Sequence, residues 1–242
     1  LSCPGNAIRS AQEMAGRMPE FADFTFAEKL YMGLANVERI FIAQLDPVYC
    51  VVAAVLVLLV YRKTGDYRKT LLAGIPALLL FGQAVVRVSH PSLKKVFVRP
   101  EQTTHWDWHA LVTYMPLVFL VLSVWGILYA LWQLADGAWK HYLWTAFLLA
   151  GGFAMGVVMG FSPTIYASAD RPYLYLYFVL IYVCADAVWN LGGMRAVWKT
   201  GSADAVRKMP VPEKLMFTVL GLLVLANILD VTRMCWLLGR LL

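Results

Sequence analysis

The amino-acid sequence predicts an all-α fold, a polytopic transmembrane helical bundle of about six spans, with an N-terminal outer-face polar segment and an interfacial helix ahead of it. Three observations lead there. Hydrophobic residues make up 60% of the 242 and charged residues 15%, with a mean hydropathy of +0.63, more apolar material than one packed soluble core absorbs. Six runs approach the roughly 20 apolar residues that a helix needs to cross a bilayer core of about 30 Å. Lys and Arg collect between those runs, as they do in membrane chains with a fixed orientation.

At the start, Leu1 stands where an initiator Met would, and "SCPGNAIRS" follows with no charged-then-apolar leader, so the chain reads as the C-terminal part of a longer protein. Residues 1–26 form an outer polar segment. In 27–45, Leu30, Leu34, Val37, Phe41 and Leu45 recur at helical intervals, with Glu28, Lys29, Glu38 and Arg39 elsewhere. That pattern fits an amphipathic helix at the interface, or a long helix entering the first span. The transmembrane bundle occupies 40–242, with spans near 40–61, 71–88, 110–134, 142–161, 173–194 and 215–236, and with Asp46 and Pro47 inside or at the edge of the first.

Orientation follows from the loops. Arg62, Lys63, Arg68 and Lys69 lie between the first two spans, and Arg195, Lys199, Arg207, Lys208 and Lys214 between the last two. Lys94, Lys95 and Arg99, bordered by Arg87, fall on the other side with Arg171. The balance places the five-charge loop in the cytoplasm and the N-terminus outside. Residues 1–26, 89–109 and 162–172 then face outward together. The net charge of +6 reads as orientation and contact with anionic membrane lipids, and no nucleic acid is expected because no basic soluble domain is present. Cys50, Cys184 and Cys235 sit in or beside apolar runs, Cys3 is alone, and no CxxC spacing occurs. No cofactor motif is visible.

Gly152, Gly156 and Gly160 recur at four-residue spacing, which clears a helix face for close approach of a neighbour. The stripe ends at the polar island "SPTIYASADRP", where Pro163 ends one helix and Pro172 can open the next. Two readings stand for this island. It is a capped turn whose Arg171 snorkels to the headgroups, or a phosphate site in which Arg171 works beside the hydroxyls of Ser162, Thr164 and Ser168. Tyr173, Tyr175 and Tyr177 read as an interfacial aromatic belt. Asn6 and Arg9 in "PGNAIRS" gain weight only because topology puts them on the side of Arg171.

His105 and His109 in "HWDWH" stand four apart, the spacing of a metal pair on a helix face, with Asp107 nearby. They are weak candidates for a divalent metal, since no third ligand is visible. Trp125, Trp132 and Trp139 mark one helix face through packing or lipid contact. Inside the spans, Asp186 with Asn190, and Asn227, Asp230 and Arg233, require partners. Asp230 and Arg233 are three apart and can pair along one helix, whereas Asp186 must find its partner across the bundle or line a hydrated cavity.

Taken together, "CPGNAIR", the "HWDWH" loop and "GFSPTIYASADR" resemble a family of bacterial multi-pass membrane proteins of unknown function that is similar to the C-type glycosyltransferases. The resemblance implies sugar transfer from a polyprenyl-phosphate sugar donor at the outer face of the membrane, with the catalytic carboxylate upstream of this chain. Asn6 and Arg9 match the first family motif, and Ser162, Ser168 and Arg171 the second. A phosphate role for them is a chemical inference from their residue types. The competing classes are a transporter or flippase using Asp186 and the Asp230/Arg233 pair, and a non-enzymatic structural subunit.

Overall fold

The structure, a computed structural model, describes residues 4–16, 18–89, 108–109, 111–135, 137–166 and 171–191. The chain divides into two units, Leu1–Ala187 and Val188–Leu242, and nearly all described residues belong to the first. All of its regular structure is helical, with no strand among the described residues.

Helix α1 spans Pro4–Gly16 and a 3-10 turn follows at Pro19–Ala22. Helix α2, Phe26–Glu38, starts on a reciprocal cap, in which the Glu28 amide donates to Thr25 Oγ1 at 3.3 Å and the Thr25 amide donates to Glu28 Oε2 at 2.8 Å. It runs into a π turn, Arg39–Ala43. Helix α3, Pro47–Thr64, begins anew because Asp46 caps it, accepting from the Tyr49 amide at 2.9 Å, and Pro47 supplies a preset first turn. Gly65, in the left-handed region at φ +60°, ends it.

Helices α4 (Tyr67–Ala73) and α5 (Ile75–Ser89) are bent by 62° at Gly74. Pro76 lacks the N–H that would continue the ladder across that joint. The bend also seats the proline ring on Gly126, where an added Cβ would lie 2.5 Å from Pro76 Cδ. Helices α6 (Leu111–Ala135), α7 (Trp139–Val158, extended by a 3-10 turn at Met159–Phe161) and α8 (Leu174–Leu191, preceded by a turn at Arg171–Tyr173) complete the described structure.

Among the described residues three helices are long and apolar enough to cross a membrane, Pro47–Thr64, Thr113–Ala135 and Trp139–Phe161, or four if the bent α4–α5 pair counts as one span. Helix α8 supplies a shorter apolar stretch, Leu174–Trp189. Large apolar side chains point outward, among them Phe81, Leu111, Val121, Phe147 and Phe178. That outer surface suits lipid rather than water.

Three expectations are corrected. The first span does not start near residue 40: the chain breaks over residues 39–46 and the long helix begins at Pro47. The second span is not one straight helix from 71 to 88, because Gly74 and Pro76 bend it. The helix expected at the interface is enclosed: Met32 and Val37 are fully buried, and α2 packs between α6 and α7. Its burial is possible because backbones touch. A Cβ on Gly33 would lie 2.1 Å from the Val157 carbonyl oxygen, and one on Gly160 at 2.1 Å from that of Lys29. The glycine stripe on α7 therefore packs as expected, and Gly33 is its unforeseen counterpart. The span expected at 215–236 lies outside the described residues.

Contacts along α6 set the depth of the break. Tyr31 donates to the Thr113 carbonyl at 2.8 Å, Tyr49 hydrogen-bonds Ser123, and Lys63 Nζ donates to the Leu134 carbonyl at 3.0 Å. Ser123 is about 18 Å along α6 from Leu111, at ~1.5 Å per residue. Helix α3 thus starts deep, and α2 with its π turn fills the half of the bundle nearest the island.

Candidate functional site

The polar side chains of that half gather where the α2–α3 helix breaks. Backbone that leaves the helical path inside a packed bundle is tolerated where protein surrounds it and meets its polar groups. Here Ile40, Phe41, Ile42 and Ala43 are all buried. Leu45, just after the π turn, has φ +58°, the one non-glycine positive φ among the described residues. Such a conformation in leucine stores strain of order 1–3 kcal/mol and tends to occur at functional sites.

Asn36, in the last turn of α2, is fully buried and its amide donates to the hydroxyl of Tyr173, also fully buried. Asn36 Oδ1 in turn accepts from Arg39 Nε at 2.8 Å. The Arg39 guanidinium stands 5.5 Å from the ring centroid of Tyr166, which belongs to the island. One amide thus bridges a tyrosine at the entrance of α8 and a guanidinium under the island, and the cation rests on an aromatic face. Below them, Asp46 Oδ2 accepts from the Tyr177 hydroxyl at 2.8 Å, and Phe41 touches the rings of Tyr49, Tyr173 and Tyr177. The belt assignment needs correction here: Tyr175 is exposed, but Tyr173 is fully buried and Tyr177 half-buried.

The island is anchored from beneath. Ser162 Oγ and Thr164 Oγ1 are 2.8 Å apart, and the Ile165 amide donates to the Ser162 carbonyl at 3.2 Å. That turn drives Ile165 into a cluster with Phe21, Phe24 and Met32, against which Met14, Met18 and Tyr166 pack. The end of α1 is therefore drawn to the island. Asn6 and Arg9 lie on α1, and Arg171 opens the turn before α8, but their side chains are outside the described set, as are Ser168 and His105. Ser162 is half-buried and bonded to Thr164. His109 is exposed in a turn, and no group of three metal-ligating side chains occurs among the described residues.

Glu38 occupies the other face of the last turn of α2, and its carboxyl is buried. It lies outside the four spans, and burial pushes its carboxyl up to about 8. On the same face, burial and then the charge of Glu38 hold the Tyr31 hydroxyl up to about 12.

At the opposite end of α7 and α8, His141 Nε2 lies 2.7 Å from Asp186 Oδ2, with both side chains partly exposed. Asp186 thus finds its partner across the bundle. The pair sits at the helix ends, since His141 is the third residue of α7. Asp230 and Arg233 fall outside the described residues.

Sequence reasoning missed Asn36, Arg39, Glu38 and His141 as site residues. The signal for the first three is "NVER", three polar residues between "YMGLA" and "IFIA", in which the amphipathic pattern sets Glu38 and Arg39 off the apolar face. No family model, curated protein or solved structure matches this chain.

Proposed function

We propose that this chain is a multi-pass protein of the bacterial cytoplasmic membrane, part of a C-type glycosyltransferase-like protein that handles a lipid-linked sugar phosphate at the outer face. The observation that carries this reading is Arg39, a guanidinium oriented by Asn36 and set against the ring of Tyr166, a residue two positions beyond the hydrogen-bonded Ser162–Thr164 pair. A polyprenyl phosphate leaves as an anion when its sugar is transferred. A fixed guanidinium with nearby hydroxyls stabilises that developing charge, most strongly where water is excluded. Arg9 and Arg171 are the further cations assigned to the same anion, with Asn6 and Ser168 as hydrogen-bonding partners.

The test is transfer from a labelled polyprenyl-phosphate sugar, or binding of the polyprenyl phosphate itself, by the intact protein. Arg39→Ala is expected to lower either at least tenfold, and Arg39→Lys to recover only part, because lysine lacks the planar fork. Unchanged transfer and binding in Arg39→Ala would remove Arg39 from the site.

A transporter or flippase is the second reading, and the interrupted helices favour it, since transporters often bind substrates at such breaks. Its expected intramembrane acid, Asp186, is instead paired at a helix end. Substrate movement across sealed vesicles without sugar transfer distinguishes the two.

A further inference from the structure

Glu38 has no part in the anion site, and its surroundings ask for a separate role. Among the described residues it is the only buried acidic side chain, 2% exposed, and its Oε1 has no hydrogen-bond partner. Nearby donors are engaged elsewhere: the Tyr31 hydroxyl with the Thr113 carbonyl, the Asn36 amide with Tyr173, and Arg39 Nε with Asn36. Among the described residues, the elements packed on α2 place no countercharge against Glu38, whose titration is shifted by burial alone. Helix α6 contains no acidic or basic residue along Leu111–Ala135. Helix α7 carries only Lys140 and His141, at its far end. The turn Met159–Phe161 has none, and the turn into α8 brings Tyr173. Against the first half of α2, α1 and the turn after it bring the acids Glu13 and Glu20, with Asp23 following; α1 also carries Arg9, whose side chain is outside the described set. Helix α5 packs on the π turn and carries Arg87, whose side chain is outside the described set. The exposed His109 precedes α6.

A carboxylate so buried, with no cation placed against it among the described residues, is unfavourable, whereas a neutral carboxylic acid is tolerated. Glu38 also stands where the helix changes geometry, immediately before the π turn and seven residues before the left-handed Leu45. The structure assigns Glu38 as a proton-binding site, a carboxyl that holds its proton in the resting protein and yields it to water or a hydroxyl-bearing ligand admitted between α2 and α6. The upward displacement of its titration to about 8 agrees, because it places proton exchange near neutral pH. This inference stands apart from the lipid-phosphate reading, since it requires no anion.

The test is infrared spectroscopy of the full chain in lipid nanodiscs with glutamate carboxyls 13C-labelled, comparing wild type and Glu38→Gln. At pH 7 the difference spectrum should contain the C=O stretch of a protonated carboxylic acid. That band should shift slowly in heavy water and disappear on titration with a midpoint near about 8. Should Glu38→Gln fail to fold, the labelled wild type alone decides, since one of its six glutamates should be protonated at pH 7. A spectrum with carboxylate bands only at pH 7, or a midpoint in the ordinary carboxylate range, would overturn the assignment.

Discussion

The two ends of the α7–α8 pair carry polar groups of similar kind in opposite surroundings. At one end His141 and Asp186 meet with 41% and 19% of their side chains exposed. At the other, Asn36 and Tyr173 meet with no exposed surface, under Arg39 and the island. Water competes for every bond at the first end, so the pair contributes little beyond what solvent already provides. At the second, each donor must find a protein acceptor, and the network holds one arrangement. Among the described residues, the left-handed leucine and the buried carboxyl both occur at this second end, beside the break after α2. The contrast is why the proposed site is put at the island half, with the His141–Asp186 pair read as a helix clamp at the far end.

The largest effect should come from the contact that lets α2 enter the bundle. Gly33→Val places a Cβ where the Val157 carbonyl oxygen stands 2.1 Å away, and backbone cannot yield as a side chain would. The variant should lose the monodisperse folded species in size-exclusion chromatography, whereas Gly151→Val, at a position with open space, should keep it. A folded Gly33→Val would mean that α2 does not sit between α6 and α7.

Next in size is the pH dependence set by Glu38. Its folded-state titration lies above the ordinary value, so the folded protein binds the extra proton. Stability is therefore fully present below about 4.5 and falls as pH rises to about 8. Each unit is worth ~1.4 kcal/mol, so the loss should be on the order of a few kcal/mol across that window. Thermal unfolding of Glu38→Gln should lack this slope, and a slope equal to that of wild type would assign it to other groups.

Smaller still is the direct contrast of the two ends. Asn36→Ala removes the buried bond to the Tyr173 hydroxyl and should cost about 1–3 kcal/mol. Asp186→Asn at the half-exposed pair should cost under ~1 kcal/mol. Comparable losses in thermal unfolding would erase the distinction between the ends.

How far the sequence revealed these features depends on what each residue's environment hides. Helical, membrane-type character was readable because runs such as Val51 to Val60 admit little else. The proline-bounded island and the glycine stripe were readable because Gly and Pro carry their own backbone rules. The bend at Gly74 and Pro76 was available from the same rules but was overruled by the apolar run around it. The site was not legible, because a buried Asn36 or Glu38 has the same one-dimensional signature as a solvated one. Only the distant partners, Tyr173 for Asn36 and His141 for Asp186, separate those cases, and their spacing of 137 and 45 residues leaves no local pattern. Tyr173 shared an aromatic series with Tyr175, yet one is buried and the other exposed.

The most direct test of the central claim is binding of a polyprenyl phosphate to the intact protein in nanodiscs, with Arg39→Ala and Asp186→Asn measured side by side. Placing the anion at the island half predicts at least a tenfold loss for Arg39→Ala and wild-type binding for Asp186→Asn. Wild-type binding by Arg39→Ala together with loss in Asp186→Asn would contradict it and move the site to the opposite end.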